Sequence, residues 1–211
     1  MKKFILNISY NNFLFFSFIL SIVVIHIFYL SLINPISFEI LAYAKENNLA
    51  PPRHYSIILK DLEQEICLIL FTWSISIIYY NNNNIDNLIN LADTESLDHF
   101  FKIENSNKNY SVFIDNLYDT FELELSFIRY ISWAIPSIGF IGTVRGIGDA
   151  LSKADEAISG NISNMTESLG IAFNSTFVAL LLSILLTLVL TRVETKQDKL
   201  IIGLRQKSLN N

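Results

Sequence analysis

The chain has 211 residues, 51% of them hydrophobic and only 17% charged, with a mean hydropathy of +0.39. That balance belongs to a membrane protein and leaves no room for a large soluble domain. The net charge of −5 and the absence of a basic stripe exclude a nucleic-acid binder, and the single Cys67 excludes an intrachain disulfide and reads as inert packing in its apolar run.

The first apolar run, about Phe13 to Ile33, is long enough for a bilayer and is expected to end at Asn34-Pro35. Met1-Lys2-Lys3 could open a signal peptide. The run is long for one and no small-residue cleavage site follows promptly, so a retained helix is expected. His26 sits in mid-span and reads as an interhelix hydrogen-bonding group rather than a relay. The second run, Ile66 to Tyr80, is short and closes on an interfacial Tyr79-Tyr80 pair.

A polar connector follows, about Asn81 to Ile128, opening on the homopolymer Asn81–Asn84. A turn is expected at Asn105–Asn109. Beyond it Val112, Phe113, Leu117, Phe121, Leu125 and Ile128 recur at helical spacing, so a helix should run unbroken into the third span, about 130–147. A short outer connector, about Ser152 to Leu169, makes the third span and the fourth, about 171–190, an antiparallel hairpin. The fold class expected is all-α, with four transmembrane helices and long helices extending into the cytoplasm. The parts are an N-terminal helical pair (1–80), a connector with an amphipathic helix (81–129), a channel-like hairpin (130–192) and a tail (193–211). With the N-terminus inside, ten Lys and Arg residues fall in inner segments and five in outer ones. That bias places both termini in the cytoplasm.

The hairpin carries the chemistry. Four of the seven glycines lie between Gly139 and Gly148. Ser132, Pro136, Gly139, Thr143, Gly146 and Ala150 step by 4, 3, 4, 3 and 4, and so share one narrow helix face. Small residues let membrane helices approach closely, and Ser132, Gly139, Gly142, Gly146 and Ala150 are the expected packing contacts. Pro136 must free a backbone carbonyl, which a bilayer tolerates only beside protein or water. On the fourth span Thr176, Ser183 and Thr187 lie within about 40° of one another. Thr143 stands about 21 Å above Arg129 along the helix. Thr143 and Thr176 therefore fall at matched depth and can face one seam. Thr143, Thr176, Pro136, Ser183 and Thr187 are the candidate ion-path residues. The competing reading has each threonine bonding only its own preceding turn.

Apart from Arg145 near the outer end of the third span, the four hydrophobic cores hold no Asp, Glu, Lys or Arg. Ion relays need a carboxylate at membrane depth, so a conducting role requires one from another chain. Arg145 and Asp149, four residues apart at the outer helix end, form a candidate gating pair. No Ser/His or Asp/Asp pair lies at membrane depth, which argues against a membrane enzyme.

Ile135–Leu151 resembles the Pro-x-x-Gly-x-x-Gly-Thr-Val-x-Gly-Ile signature of the MotA/TolQ/ExbB proton-channel family. Gly170–Leu180 resembles that family's second signature, Gly-Ile-Ala followed by Thr-x-x-Gly/Ala-Leu. The resemblance covers roughly residues 110–200. It matches Thr143 and Thr176 to the threonines that line the family's ion path, and Pro136 to the proline of the motor-stator branch. It departs at Arg145, where several branches have an apolar or aromatic residue, and at Ala179, which replaces a common glycine.

The resemblance implies a homopentamer around a dimer of a single-span ExbD/TolR/MotB-like partner that carries the protonatable Asp. The assembly would sit in lipid of the bacterial inner membrane, without cofactor or metal, and transport protons or sodium. A flagellar-like stator, a Ton/Tol-like energiser and a phage-defence channel stay open as branches. A non-conducting membrane scaffold built on the same helix faces stays open as the alternative function.

Overall fold

In the computed structural model, residues 2–47, 52–94, 110–160 and 162–209 are described, and they are helical apart from short links. The expected turn at Asn105–Asn109 lies outside them. In chain order the helices are α1 (Lys2–Phe28), a π-helical turn (Tyr29–Ile33), α2 (Asn34–Glu46), α3 (Tyr55–Ile58), α4 (Leu62–Thr94), α5 (Tyr110–Ser152), α6 (Ala154–Ile158) and α7 (Ser163–Leu209). Four helical stretches are long and apolar enough to cross a membrane: Tyr10–Glu46, Leu62–Asn90, Ser111–Ser152 and Ser163–Ser208.

The first stretch does not end at Asn34-Pro35. Pro35 has no N–H to give the turn before it. The chain widens into the π-helical turn, where the Asn34 N–H bonds the Tyr29 carbonyl, five residues back, and Pro35 falls at the start of α2. A π-turn absorbs such a break while keeping the helix continuous. The second helix is also longer than its apolar run. It starts at Leu62, with Glu63 and Glu65 in its first turn, and continues through Asn81–Asn84 to Thr94. Asn is a poor helix former, and side-chain bonds offset that preference: Asn82 bonds Asp86 one turn on and accepts from Lys196 of α7. The third helix is continuous from Tyr110 to Ser152, as the periodicity from Val112 onward requires.

Contacts divide the chain into two compact units. The first joins residues 1–73 and 131–185. Its core includes Ile25, Tyr29 and Ile33, packed by Leu59, Leu68 and Ile69. Cys67 is buried there, and its Sγ donates to the Ile135 carbonyl at 3.6 Å. Trp73 donates from Nε1 to the Leu14 carbonyl and stacks on Phe18.

The second unit joins residues 74–130 and 186–211. Its apolar interior is drawn from Ile77, Ile85, Phe121, Leu125, Ile128, Leu190 and Leu204. Ion pairs stitch its helices: Arg129 with Glu122 and Glu194, Lys196 with Asp86, and Arg205 with Asp115.

Candidate ion-path site in the α5–α7 hairpin

Close approach of α5 and α7 comes from their small residues. A Cβ on Gly139 would collide with the Ala179 Cβ, and one on Gly142 would lie 2.6 Å from the Ser175 Cβ. One on Gly146 would meet Ala172 at 2.8 Å. Ala179 is thus accommodated because Gly139 stands opposite it. Ala150 is also buried, whereas Gly148 faces open space.

The close approach brings Thr143 and Thr176 into hydroxyl-to-hydroxyl contact. Each also reaches a carbonyl of the opposite helix: Thr143 Oγ1 lies 3.0 Å from the Ala172 oxygen, and Thr176 Oγ1 lies 3.2 Å from the Gly139 oxygen. These carbonyls sit one turn before the two threonines, so the arrangement is reciprocal. Thr143 lies 3.3 Å from its own preceding-turn carbonyl, at Gly139, so the local bond and the cross-helix bonds share one cluster. Four oxygens converge with only two hydroxyl hydrogens between them. Such a cluster can pass a proton by exchanging hydrogen bonds, or present oxygens to a hydrated cation.

Pro136 and Ser183 meet in a related way. Lacking an N–H, Pro136 cannot bond the Ser132 carbonyl one turn earlier. Ser183 Oγ donates to that carbonyl from α7 at 2.8 Å. Ser132, expected as a packing residue, therefore contributes through its backbone. Thr187 is exposed, and its carbonyl accepts from Thr191 Oγ1 at 2.9 Å.

Arg145 makes its direct ion pair with Glu63, and the Asp149 charge also acts on it. Arg145 Nε and Nη2 donate to Glu63 Oε1 and Oε2 at 2.7 and 2.8 Å. A bidentate carboxylate on a neighbouring helix offers the guanidinium two parallel bonds, against the weaker pairing of an exposed i, i+4 neighbour. His26 Nδ1 lies 2.8 Å from Glu65 Oε1, which makes it an interhelix group. Gln64, fully buried between these two glutamates in sequence, donates to Ser175 Oγ at 3.3 Å. Sequence reasoning missed Glu63, Gln64 and Glu65 because the hydropathy of the second run begins at Ile66. The signal available was helical: Glu63, Glu65 and Gln64 belong to the first turn of the same helix.

The match to known families falls on this hairpin. The model of the MotA/TolQ/ExbB proton channel family matches residues 83–206, more than half of the chain. The chain belongs to that family. It is a multi-pass membrane protein of a channel family that is not enzymatic, and the family implies partners of the ExbD/TolR/MotB type. No curated protein and no solved structure matches it.

Proposed function

We propose that this protein is the ion-path subunit of a proton-driven motor in the bacterial inner membrane. It couples proton flow to movement of a single-span partner. The observation that carries this reading is the contact of Thr143 and Thr176 across the hairpin, with the Gly139 and Ala172 carbonyls in the same cluster. Two hydroxyls and two carbonyls supply hydrogen-bond exchange but no charge that a proton could neutralise. A carboxylate of the partner completes the path, as intramembrane ion relays require.

The assembly proposed is a homopentamer around a dimer of an ExbD/TolR/MotB-like protein, with both termini of each subunit in the cytoplasm. The ion is the proton, with sodium as the competing cargo. Pro136 withholds a helical donor from the Ser132 carbonyl, and Ser183 supplies one from α7 in its place. The Glu63–Arg145 pair, rather than Arg145 with Asp149, is the gating contact proposed at the end of the seam.

The test uses Thr143→Ala and Thr176→Ala in the full chain, co-expressed with its partner. Both variants should abolish proton-dependent activity while the assembly keeps its size in detergent. Full proton-dependent activity in both would reject the ion path and leave a scaffold. A neighbouring reading frame encoding one N-terminal span with an Asp near its start supports the motor.

A further inference from the structure

The family match begins at residue 83, so the polar cluster at the start of α4 lies outside it. Three acids there have a basic partner: Glu63 pairs with Arg145, Glu65 with His26, and Glu167 with Lys60. Asp61 has none of these. Among the described residues its Oδ2 is buried without a hydrogen-bond partner, and the neighbouring Gln64 side chain acts on its carboxylate.

The amide orientation of Gln64 follows from its other neighbour. Ser175 directs its own hydrogen to the Ile171 carbonyl at 3.0 Å, so it must accept from Gln64 Nε2. Gln64 Oε1 is then left buried without a donor, on a residue only 1% exposed. Two neighbours in sequence thus each hold a buried acceptor oxygen that lacks a donor among the described residues. One added proton turns Asp61 from an acceptor into a donor and removes the deficit. The other charged and titratable groups that act on it are Lys60 and Glu63 on its own segment, Tyr29 from the first helical stretch and Arg145 from α5; Glu65 and Glu167 are paired nearby with His26 and Lys60. Ser175 precedes Thr176 and lies against Gly142, the residue before Thr143.

We propose that Asp61 is a proton-binding site supplied by this chain itself, from which protons reach the Thr143–Thr176 seam past Gln64 and Ser175, which border the route and do not carry the proton. The binding site stands on its own geometry, and delivery to the seam rests on the channel reading given above. A proton from solvent adds to Oδ2 and gives the neutral acid. It leaves to water on the Ser175 side and regenerates the carboxylate, with no other group changing charge. Burial raises the affinity of the Asp61 carboxyl for its proton above the ordinary value and Glu63 adds to the rise, while Lys60, Arg145 and Gln64 oppose it.

An infrared pH titration of the full chain in lipid vesicles reads the protonated carboxyl directly. The wild-type minus Asp61→Asn difference should contain one such band, lost at a pH above the ordinary aspartate range. Glu63→Gln and Glu65→Gln should keep it, and Asp61→Glu should restore it. A null difference, or titration in the ordinary range, overturns the site. Proton flux through the co-expressed assembly supplies the second arm. Asp61→Asn should lower flux by about a hundredfold or more, the order expected for loss of one positioned proton donor or acceptor, whereas Thr143→Ala should abolish flux and keep the band. Loss of the band with unchanged flux overturns delivery. A band in a wild type that carries no flux supports the site and rejects the channel reading instead.

Discussion

Glu63 grips Arg145 through both nitrogens of one guanidinium edge, at 2.7 and 2.8 Å, although the two residues stand 82 positions apart. The pair is unequal in burial. The Glu63 side chain is 11% exposed and that of Arg145 46%. Removing the arginine strands a buried carboxylate, whereas removing the glutamate leaves a guanidinium that water can reach. Arg145→Gln should therefore cost about 2 kcal/mol of stability and Glu63→Gln about 1 kcal/mol. The double variant should cost less than their sum. Thermal unfolding of the detergent-solubilised protein measures this, and equal, additive costs would show that the pair contributes nothing through its contact.

Glycine substitutions separate packing from helix propensity on one helix. A Cβ at Gly146 would lie 2.8 Å from the Ala172 nitrogen, which is backbone and cannot turn aside, while a Cβ at Gly148 meets nothing within 4 Å. Gly146→Ala should destabilise by about 1–3 kcal/mol through overpacking. Gly148→Ala should be neutral or stabilising by up to about 1 kcal/mol, since alanine is the better helix former. The same melting assay reads both. A tolerated Gly146→Ala would mean that the hairpin is looser than described.

Asp61 gives the protein a pH dependence of definite sign. Its folded-state affinity for the proton is raised above that of an ordinary aspartate, chiefly by burial. A raised value means that the folded chain binds the proton more tightly than the unfolded one. The contribution is fully present below the ordinary aspartate value of 3.8 and is lost as pH rises through the raised one. Relative to Asp61→Asn, the wild type should thus lose stability as pH rises through that window and stay level above it. Parallel denaturation curves at several pH values test this, and a constant difference between the two proteins would refute it.

Periodicity carried most of the fold. The small-residue face from Ser132 to Ala150 and the hydroxyl stripe on α7 were legible because membrane packing selects residue size at every turn. Ends were not legible. Hydropathy stops the first span at Pro35, but a π-turn lets the helix pass it. Hydropathy also starts the second run at Ile66, which hid Glu63, Gln64 and Glu65 although they share its helix. Arg145 was assigned the nearest acid in sequence, Asp149, because a bond to an acid 82 residues away leaves no periodic trace. The reciprocal use of carbonyls by Thr143 and Thr176 depends on helix register, and composition does not encode that.

The carbonyl left by Pro136 offers the sharpest test of the hairpin. Ser183 Oγ donates to the Ser132 carbonyl at 2.8 Å, and Pro136 is the residue whose missing N–H withholds the usual helical donor from that oxygen. Ser183→Ala removes a hydrogen-bond donor to it and should cost about 1 kcal/mol, the usual scale for an interhelix bond in a membrane protein. Pro136→Ala restores a backbone N–H that can close the turn onto Ser132. In that background Ser183→Ala should cost little, because the oxygen no longer depends on α7. The coupling energy from the four proteins of the cycle is the quantity to measure. If Ser183→Ala costs the same with proline or alanine at position 136, the serine is not compensating for the proline.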